Sequence, residues 1–340
     1  MKANLAIALL GTGLLTTVLN SAAAQAAEVN IYSARQEELI KPLLDKFTAD
    51  TGIKVNLITG KPDELISRMV SEGRNSPADV LISTDVGRLH RAKQQGVLQP
   101  VASDTLSSAI PEALRDPSGQ WFGLTMRARP IMYVPGKVSP EQLSTYEDLA
   151  DNKWRGRICI RSSDNIYNQS MTASMIAHDG AAATESWAKG LVANLAMPPK
   201  GGDRDQIKAA VSGVCDIAIA NTYYLGRMLA DPSQQQIAQQ VKVFWPNQND
   251  RGAHVNISGA GVAKHAKNKT EAVKLLEFMT TAESQQWYAE TNHEYPVREG
   301  VQISTILQGF GSFKADQLQL DKLGELNAEA IRVMDRAGWK

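Results

Sequence analysis

Three tyrosines in this chain have the type and setting to bind a hard cation. Tyr223 and Tyr224 are adjacent in Ile-Ala-Ile-Ala-Asn-Thr-Tyr-Tyr, where an apolar strand ends, and Tyr167 stands in Ser-Ser-Asp-Asn-Ile-Tyr-Asn-Gln-Ser. A phenolate is a hard, anionic oxygen ligand, and three of them would neutralise a trivalent cation such as Fe(III) without sulfur or imidazole. Taken without context, a Tyr-Tyr pair at a strand end reads as aromatic support for a loop, so the metal reading depends on its surroundings. The chemistry also demands a group and not a single ligand. An unperturbed tyrosine titrates near pH 10, so about one in a thousand is ionised at pH 7. The metal itself must drive deprotonation, and binding should therefore release protons and weaken as pH falls.

Side chains so far apart in sequence need a scaffold to bring them together, and the pattern of the chain supplies one. Val29–Tyr32 reads as a strand, and Leu39, Ile40, Leu43, Leu44 and Phe47 recur at helical spacing before Thr51 and Gly52 end the run. A strand at 55–59 follows, then a helix opened by Pro62 with Leu65, Ile66, Met69 and Val70 as its stripe, then a strand at 78–83. Further strands are expected at 131–134, 157–160, 214–220 and 255–258, and helices at 171–178, 185–195, 205–211, 270–280 and 282–291, with a packed helix pair after Phe313. Such alternation predicts an α/β fold with a mostly parallel sheet covered on both faces, and ligand sites at the strands' carboxyl ends.

The first residues say where the chain works. Lys2 precedes an apolar run from Leu5 to Leu19, followed by small residues with an Ala24-Gln25-Ala26 cleavage site, the pattern of a secretory signal peptide over residues 1–26. The expected product is exported, most simply into a bacterial periplasm. About 310 residues would remain, more than the roughly 250 to 300 at which a single core stops growing, so two lobes are expected. Formal charge balances at zero and basic residues alternate with acidic ones, which gives no support to nucleic-acid or membrane-surface binding. Cys159 and Cys215 lie in apolar, strand-like surroundings, and in an oxidising compartment they read as one structural disulfide, with two free buried thiols as the alternative. His90, His178, His254, His265 and His293 are scattered without metal-site spacing, so zinc is not indicated. The six tryptophans are also spread out and read as core, with Trp121 a candidate for a cleft wall.

Arg127 and Arg129 flank Ala128 just before the strand at 131–134, at the expected first crossing between lobes. A planar guanidinium matches a planar oxyanion, so either arginine is a candidate to hold an anion such as carbonate, with an interlobe salt bridge as the alternative role. Arg35, near the first loop, is a further anion candidate or a solvated charge.

Several segments together resemble the bacterial periplasmic ferric-iron-binding proteins, the substrate-binding subunits of iron(III) ABC transporters. They run from Asn30-Ile-Tyr-Ser-Ala-Arg35, Thr51-Gly-Ile-Lys-Val55, Thr59-Gly-Lys-Pro-Asp-Glu-Leu65 and Pro77-Ala-Asp-Val80, through Arg127-Ala-Arg129, to Asn165-Ile-Tyr-Asn-Gln-Ser170, Asn221-Thr-Tyr-Tyr224 and Asn292-His-Glu-Tyr-Pro-Val297. The Tyr-Tyr doublet is the specific part, and the other segments argue for fold. The resemblance implies a two-lobe periplasmic binding protein of type II, with a ligand cleft between the lobes and interlobe crossover strands. Lobe 1 would span 27–128 and 252–300, lobe 2 would span 129–251, and a helical segment would occupy 301–340. It further implies that Tyr167, Tyr223 and Tyr224 coordinate Fe(III), that Arg127 is the favoured anion holder, and that the protein is a monomer serving an ABC transporter permease. Many members place a histidine or tyrosine just after the entry strand, whereas this chain has Gln36 and Glu37 there. Gln36, Glu37 and Asp63 are thus kept as additional ligand or supporting candidates, beside water and an exogenous anion. Two other classes are the alternatives: a binder of a small organic anion, in which the tyrosines donate hydroxyls, and an enzyme, for which the sequence offers no nucleophile elbow and no carboxylate pair in a recognisable context.

Overall fold

The computed structural model describes residues 27–340, and the signal peptide expected over residues 1–26 lies outside them. The strands are β1 (Glu28–Ser33), β2 (Lys54–Thr59), β3 (Val80–Thr84), β4 (Phe122–Ala128), β5 (Ile131–Tyr133), β6 (Ile158–Cys159), β7 (Ile217–Ile219), β8 (Lys242–Phe244) and β9 (Val255–Val262). They form two sheets, ordered β2-β1-β3-β9-β4 and β6-β7-β5-β8. Helices α1 (Lys41–Thr51), α2 (Pro62–Glu72), α3 (Val86–Gln94) and α4 (Asp104–Ala109) connect the strands of the first sheet. Helices α5 (Ile166–Asp179), α6 (Ala181–Ala193) and α7 (Asp203–Val211) lie between β6 and β7, and α8 (Thr222–Ala230) and α9 (Gln235–Ala238) between β7 and β8. After β9 come α10 (Lys269–Met279), α11 (Ala282–Trp287), α12 (Thr305–Gln308), α13 (Asp321–Glu325) and α14 (Asn327–Arg336).

Local sequence accounts for many boundaries. Gly52 takes a left-handed conformation at φ 71° to close α1, and Pro62 opens α2, where its missing amide hydrogen is not needed. Leu65, Ile66 and Met69 bury the inner face of α2, while Val70 is left 48% exposed at its margin. β9 threads between β3 and β4, and a Cβ at its Gly259 would collide with the carbonyl oxygen of Phe122. Trp121 is fully buried, so it belongs to the core and forms no cleft wall.

The expectation of a mostly parallel sheet is corrected. β1 pairs in parallel with β2 and β3, but β9 pairs antiparallel with both β3 and β4. In the second sheet β6 and β7 are parallel, whereas β5 runs antiparallel to β7 and β8. The reason lies in two direct crossings: β4 of the first sheet leads through Arg129 and Pro130 into β5 of the second, and β8 of the second leads back into β9 of the first. A strand that arrives this way has no βαβ crossover to set a parallel direction. Pro130 separates β4 from β5 because it has no amide hydrogen to give a ladder. The terminal helices close the structure, α13 resting against both α3 and α5, and α14 against α5 and α6.

Cys159, at the end of β6, and Cys215, just before β7, are joined by a disulfide with a Cα–Cα distance of 5.9 Å. The bridge closes a sequence separation of 56 residues, for which chain entropy alone gives up to about 4 kcal/mol. Reducing it, or replacing both cysteines by alanine, is expected to lower the urea midpoint by an amount approaching this figure. An unchanged midpoint would show that the bridge contributes nothing to stability.

Candidate metal centre

The three tyrosines meet although 56 residues separate Tyr167 from Tyr223. Their hydroxyls lie 3.3 Å apart, and the rings of Tyr223 and Tyr224 are 4.2 Å apart between centroids. The doublet does not sit on a strand end as expected. It occupies the first turn of α8, one extended step beyond β7, and Tyr167 occupies the first turn of α5. Neither helix has a side-chain cap. Free amides and the helix dipole therefore favour negative charge where the phenolates would form.

All three tyrosines line a cavity of about 230 Å³ with Ala34, Arg35, Gln36, Leu39, Thr84 and Arg127, and with Arg204, Arg227 and Glu294. Thr84 on β3 and Arg127 on β4 come from the first sheet, and the tyrosines come from helices that follow β6 and β7 of the second. The guanidinium of Arg127 stands 5.2 Å from the ring centre of Tyr167, Arg227 stands 5.3 Å from Tyr223, and Arg204 stands 5.8 Å from Tyr224. Sequence reading did not single out Arg204 or Arg227. The available signal was helical spacing, since Arg227 follows Tyr223 by four residues and shares its face.

The other candidates divide. Arg127 is 2% exposed and donates to Ser258 Oγ at 2.8 Å, while its Nε and second terminal nitrogen have no partner. It keeps the donors an anion would need. Arg129 is corrected: its guanidinium faces inward, with Asp203 at 2.7 Å, Asn221 at 3.1 Å and Asn168 at 2.7 Å. Because Asn168 lies on α5, Asp203 opens α7 and Asn221 precedes α8, this one buried cation ties together the starts of three helices. Arg35 is no solvated charge. It is 5% exposed and holds Glu294 through two bonds of 3.0 Å, although it still faces the cavity. Gln36 lines the cavity, but the exposed Glu37 is not among its lining residues. Asp63 points elsewhere, bound to Arg91 at 2.5 Å with Arg88 at 3.8 Å, because the first turn of α2 faces α3. Among the described residues no group of three His, Cys, Asp or Glu side chains is placed to hold a metal, which leaves oxygen donors of tyrosine as the available set.

Residues 43–308 match the family of bacterial extracellular solute-binding proteins. The chain is 54% identical to iron uptake protein A1 of Synechocystis over 92% of its own length and 88% of that protein. The chain belongs to this family, among its ferric-iron-binding members. A solved structure of the Trichodesmium protein IdiA (FutA), in complex with iron and citrate ligands, superposes with a TM-score of 0.90 at 53% identity, covering 92% of this chain and 100% of that one. The ferric binding protein from Campylobacter jejuni gives a TM-score of 0.87 at 40% identity, covering 92% of this chain and 100% of that one. The architecture shared with these solute-binding proteins is the two-lobed α/β fold.

Electrostatics in this solute-binding cleft favour the protonated form of Tyr223 and Tyr224. Burial pushes the Tyr223 hydroxyl well above its ordinary value, neighbouring Tyr167 and Tyr224 push further, and Arg127 opposes them. Burial, again with Tyr167, raises Tyr224 to about 12. For Glu294 burial acts upward, but Arg35 overrides it and the carboxyl stays below its usual range. Behind the cleft, burial first and then Arg129 and Arg127 lower His254 to about 3. The folded protein thus holds a neutral imidazole where an unfolded chain takes a proton. Stability is expected to fall as pH drops below 6.5 toward 3, and a urea series on His254→Gln should show a shallower decline. Arg129→Met would take from Asp203 its fully buried partner, leaving only the more exposed Arg161 on the other carboxylate oxygen, and is expected to cost up to about 3 to 5 kcal/mol in urea unfolding. A loss under about 1 kcal/mol, the value of an exposed pair, would remove its role as the helix tie.

Proposed function

We propose that this protein captures ferric iron in the periplasm and delivers it to the permease of an inner-membrane ABC importer. The observation that carries this reading is the convergence of Tyr167, Tyr223 and Tyr224 on one cavity, from helix starts that favour phenolate. The relatives' iron chemistry supports it. In this reading Fe(III) is cargo: the phenolates bind it, and its charge displaces protons that burial otherwise retains.

Charge balance supports an accompanying anion. Three phenolates cancel a trivalent ion, whereas four arginines face a single lining carboxylate, Glu294. Arg127, with two unpartnered nitrogens, is the main candidate to hold carbonate or a carboxylate against the metal. Gln36 reaches the cavity as a supporting polar group, and lobe 1 then contributes chiefly by surrounding the metal and excluding water. The lobes are assigned to 27–128 with 252–300 and to 129–251, with 301–340 as the terminal segment, and the two crossings between sheets are the natural hinge. The protein acts as a monomer and a binding protein, not an enzyme, and reaches the periplasm by a signal peptide over residues 1–26.

The arginine excess also suits a small organic anion bound without metal, and one experiment separates the two. Titration of apo protein with ferric citrate is expected to give a saturable visible tyrosinate-to-iron band at one iron per chain. Tyr223→Phe and Tyr167→Phe should each weaken or shift the band and lower affinity by more than the roughly 10- to 100-fold typical of losing an outer-shell partner. Affinity should fall with pH as phenols reclaim protons. Absence of a band in the wild type, with iron kept soluble, would overturn the iron reading in favour of the organic anion.

A further inference from the structure

Asp85 is a carboxylate that nothing in the ligand set uses, held in a conformation that costs energy. It follows β3 on the first sheet's side and caps α3, with 0% exposure. Its backbone lies at φ 83° and ψ 128°, a region open to glycine and strained for any other residue. Both carboxylate oxygens are occupied. One accepts from Gly87 N at 2.9 Å and from Ser170 Oγ at 2.7 Å, and the other accepts from Asn256 Nδ2 at 2.9 Å.

Two of these partners are local to the first sheet's side, but Ser170 is not. It belongs to α5, which follows β6 of the second sheet, and it lies one turn after Tyr167 on that helix. The side chain of Ile166 packs over the Gly87 backbone at the same place: a Cβ on Gly87 would touch Ile166 Cδ1 at 3.4 Å. The start of α3 is thereby pressed and hydrogen-bonded to the start of α5. Asn256 extends the tie to the second crossing, since its Oδ1 accepts from Val86 N at 2.9 Å while its amide holds Asp85. Burial pushes the Asp85 carboxyl up, and Arg127, whose field also reaches Tyr167, is the strongest influence opposing that rise.

We propose that Asp85 is a positioning residue of the metal site, by which the first lobe, through Ser170, fixes the helix that presents Tyr167. This rests on the iron reading above and adds to it a role for the lobe that lacks a strong ligand at Gln36. The bond donated by the Ser170 hydroxyl to the buried Asp85 oxygen restrains α5 where the phenolate must stand, and strain at Asp85 is the cost of aiming its carboxyl group across the lobes. Asp85 does not touch the cavity.

The test measures ferric affinity and the visible tyrosinate band in Ser170→Ala, Ser170→Thr and Asp85→Asn, each alone and with Tyr167→Phe. Ser170→Ala is expected to weaken iron binding by about 10-fold, within the range for an outer-shell partner, and to shift the band, while Ser170→Thr, which keeps the hydroxyl, restores both. In the Tyr167→Phe background the same change should have no further effect, because its route to the metal is gone. Wild-type affinity and band in Ser170→Ala, or equal losses with and without Tyr167, would overturn the proposal. If Asp85→Asn fails to fold, the Ser170 set decides alone. A wild-type protein with no ferric band would instead defeat the iron reading itself, an outcome visible before any variant is compared.

Discussion

The site depends on one buried ion pair. Arg129 and Asp203 are 2.7 Å apart with side-chain exposures of 1% and 0%, and Arg161 shares the second carboxylate oxygen at 3.0 Å. Charges taken so far from water are tolerated only when strong partners are supplied, and here two asparagines and a backbone carbonyl join Asp203 around the two terminal nitrogens of Arg129, while its Nε has no partner. Those partners are the starting residues of the helices that carry the tyrosines. The ion pair is thus less a source of net stability than a device of registry, since α5, α7 and α8 can share one cation only in one arrangement. A hydrophobic replacement of similar volume could pack as well, but it would leave the tyrosine-bearing turns without a common anchor.

Around that anchor the cleft is built from opposed electrostatic demands. Burial favours the protonated form of Tyr223 and Tyr224. Helix starts and the flanking arginines reduce the cost of the phenolate once a cation arrives. In the proposed iron reading the site would then exchange protons for a trivalent ion. The arginines that ease phenolate formation would also oppose a bare cation, and an anion beside the metal would reconcile the two. On that proposal the wall of arginines is part of the binding chemistry and not merely a solvated rim.

Much of the fold was legible in the sequence because its signals are local. Apolar spacing in α1 and α2, Gly52 after α1 and Pro62 at the start of α2 act over a turn or two of chain. Sheet direction was not legible, because it follows from β8 leading directly into β9, a connection whose partner strands lie far away in sequence. Strand β7 is shorter than the apolar run at 214–220 suggests, and the doublet lies beyond it on α8, a helix start that Asn221-Thr222 signals weakly because the Asn221 side-chain oxygen accepts from Arg129 and does not cap the helix.

For the site, sequence alone determined which side chains have the right chemistry: three phenols, an arginine beside an interlobe crossing, and a pair of cysteines able to bridge. Residue type fixes hardness, charge and donor geometry without reference to fold. Only the tertiary structure decided which of two arginines two residues apart faces the cavity. Successive side chains in an extended segment alternate, but the crossing at Pro130 changes sheets, so parity does not say which environment each one enters. It also decided that Asp63 serves Arg91, that Arg204 and Arg227 join the tyrosines, and that Asp85 reaches Ser170. Those contacts join residues remote in sequence, and their existence depends on how the two sheets are set against each other, a property of the packed whole and of no local stretch.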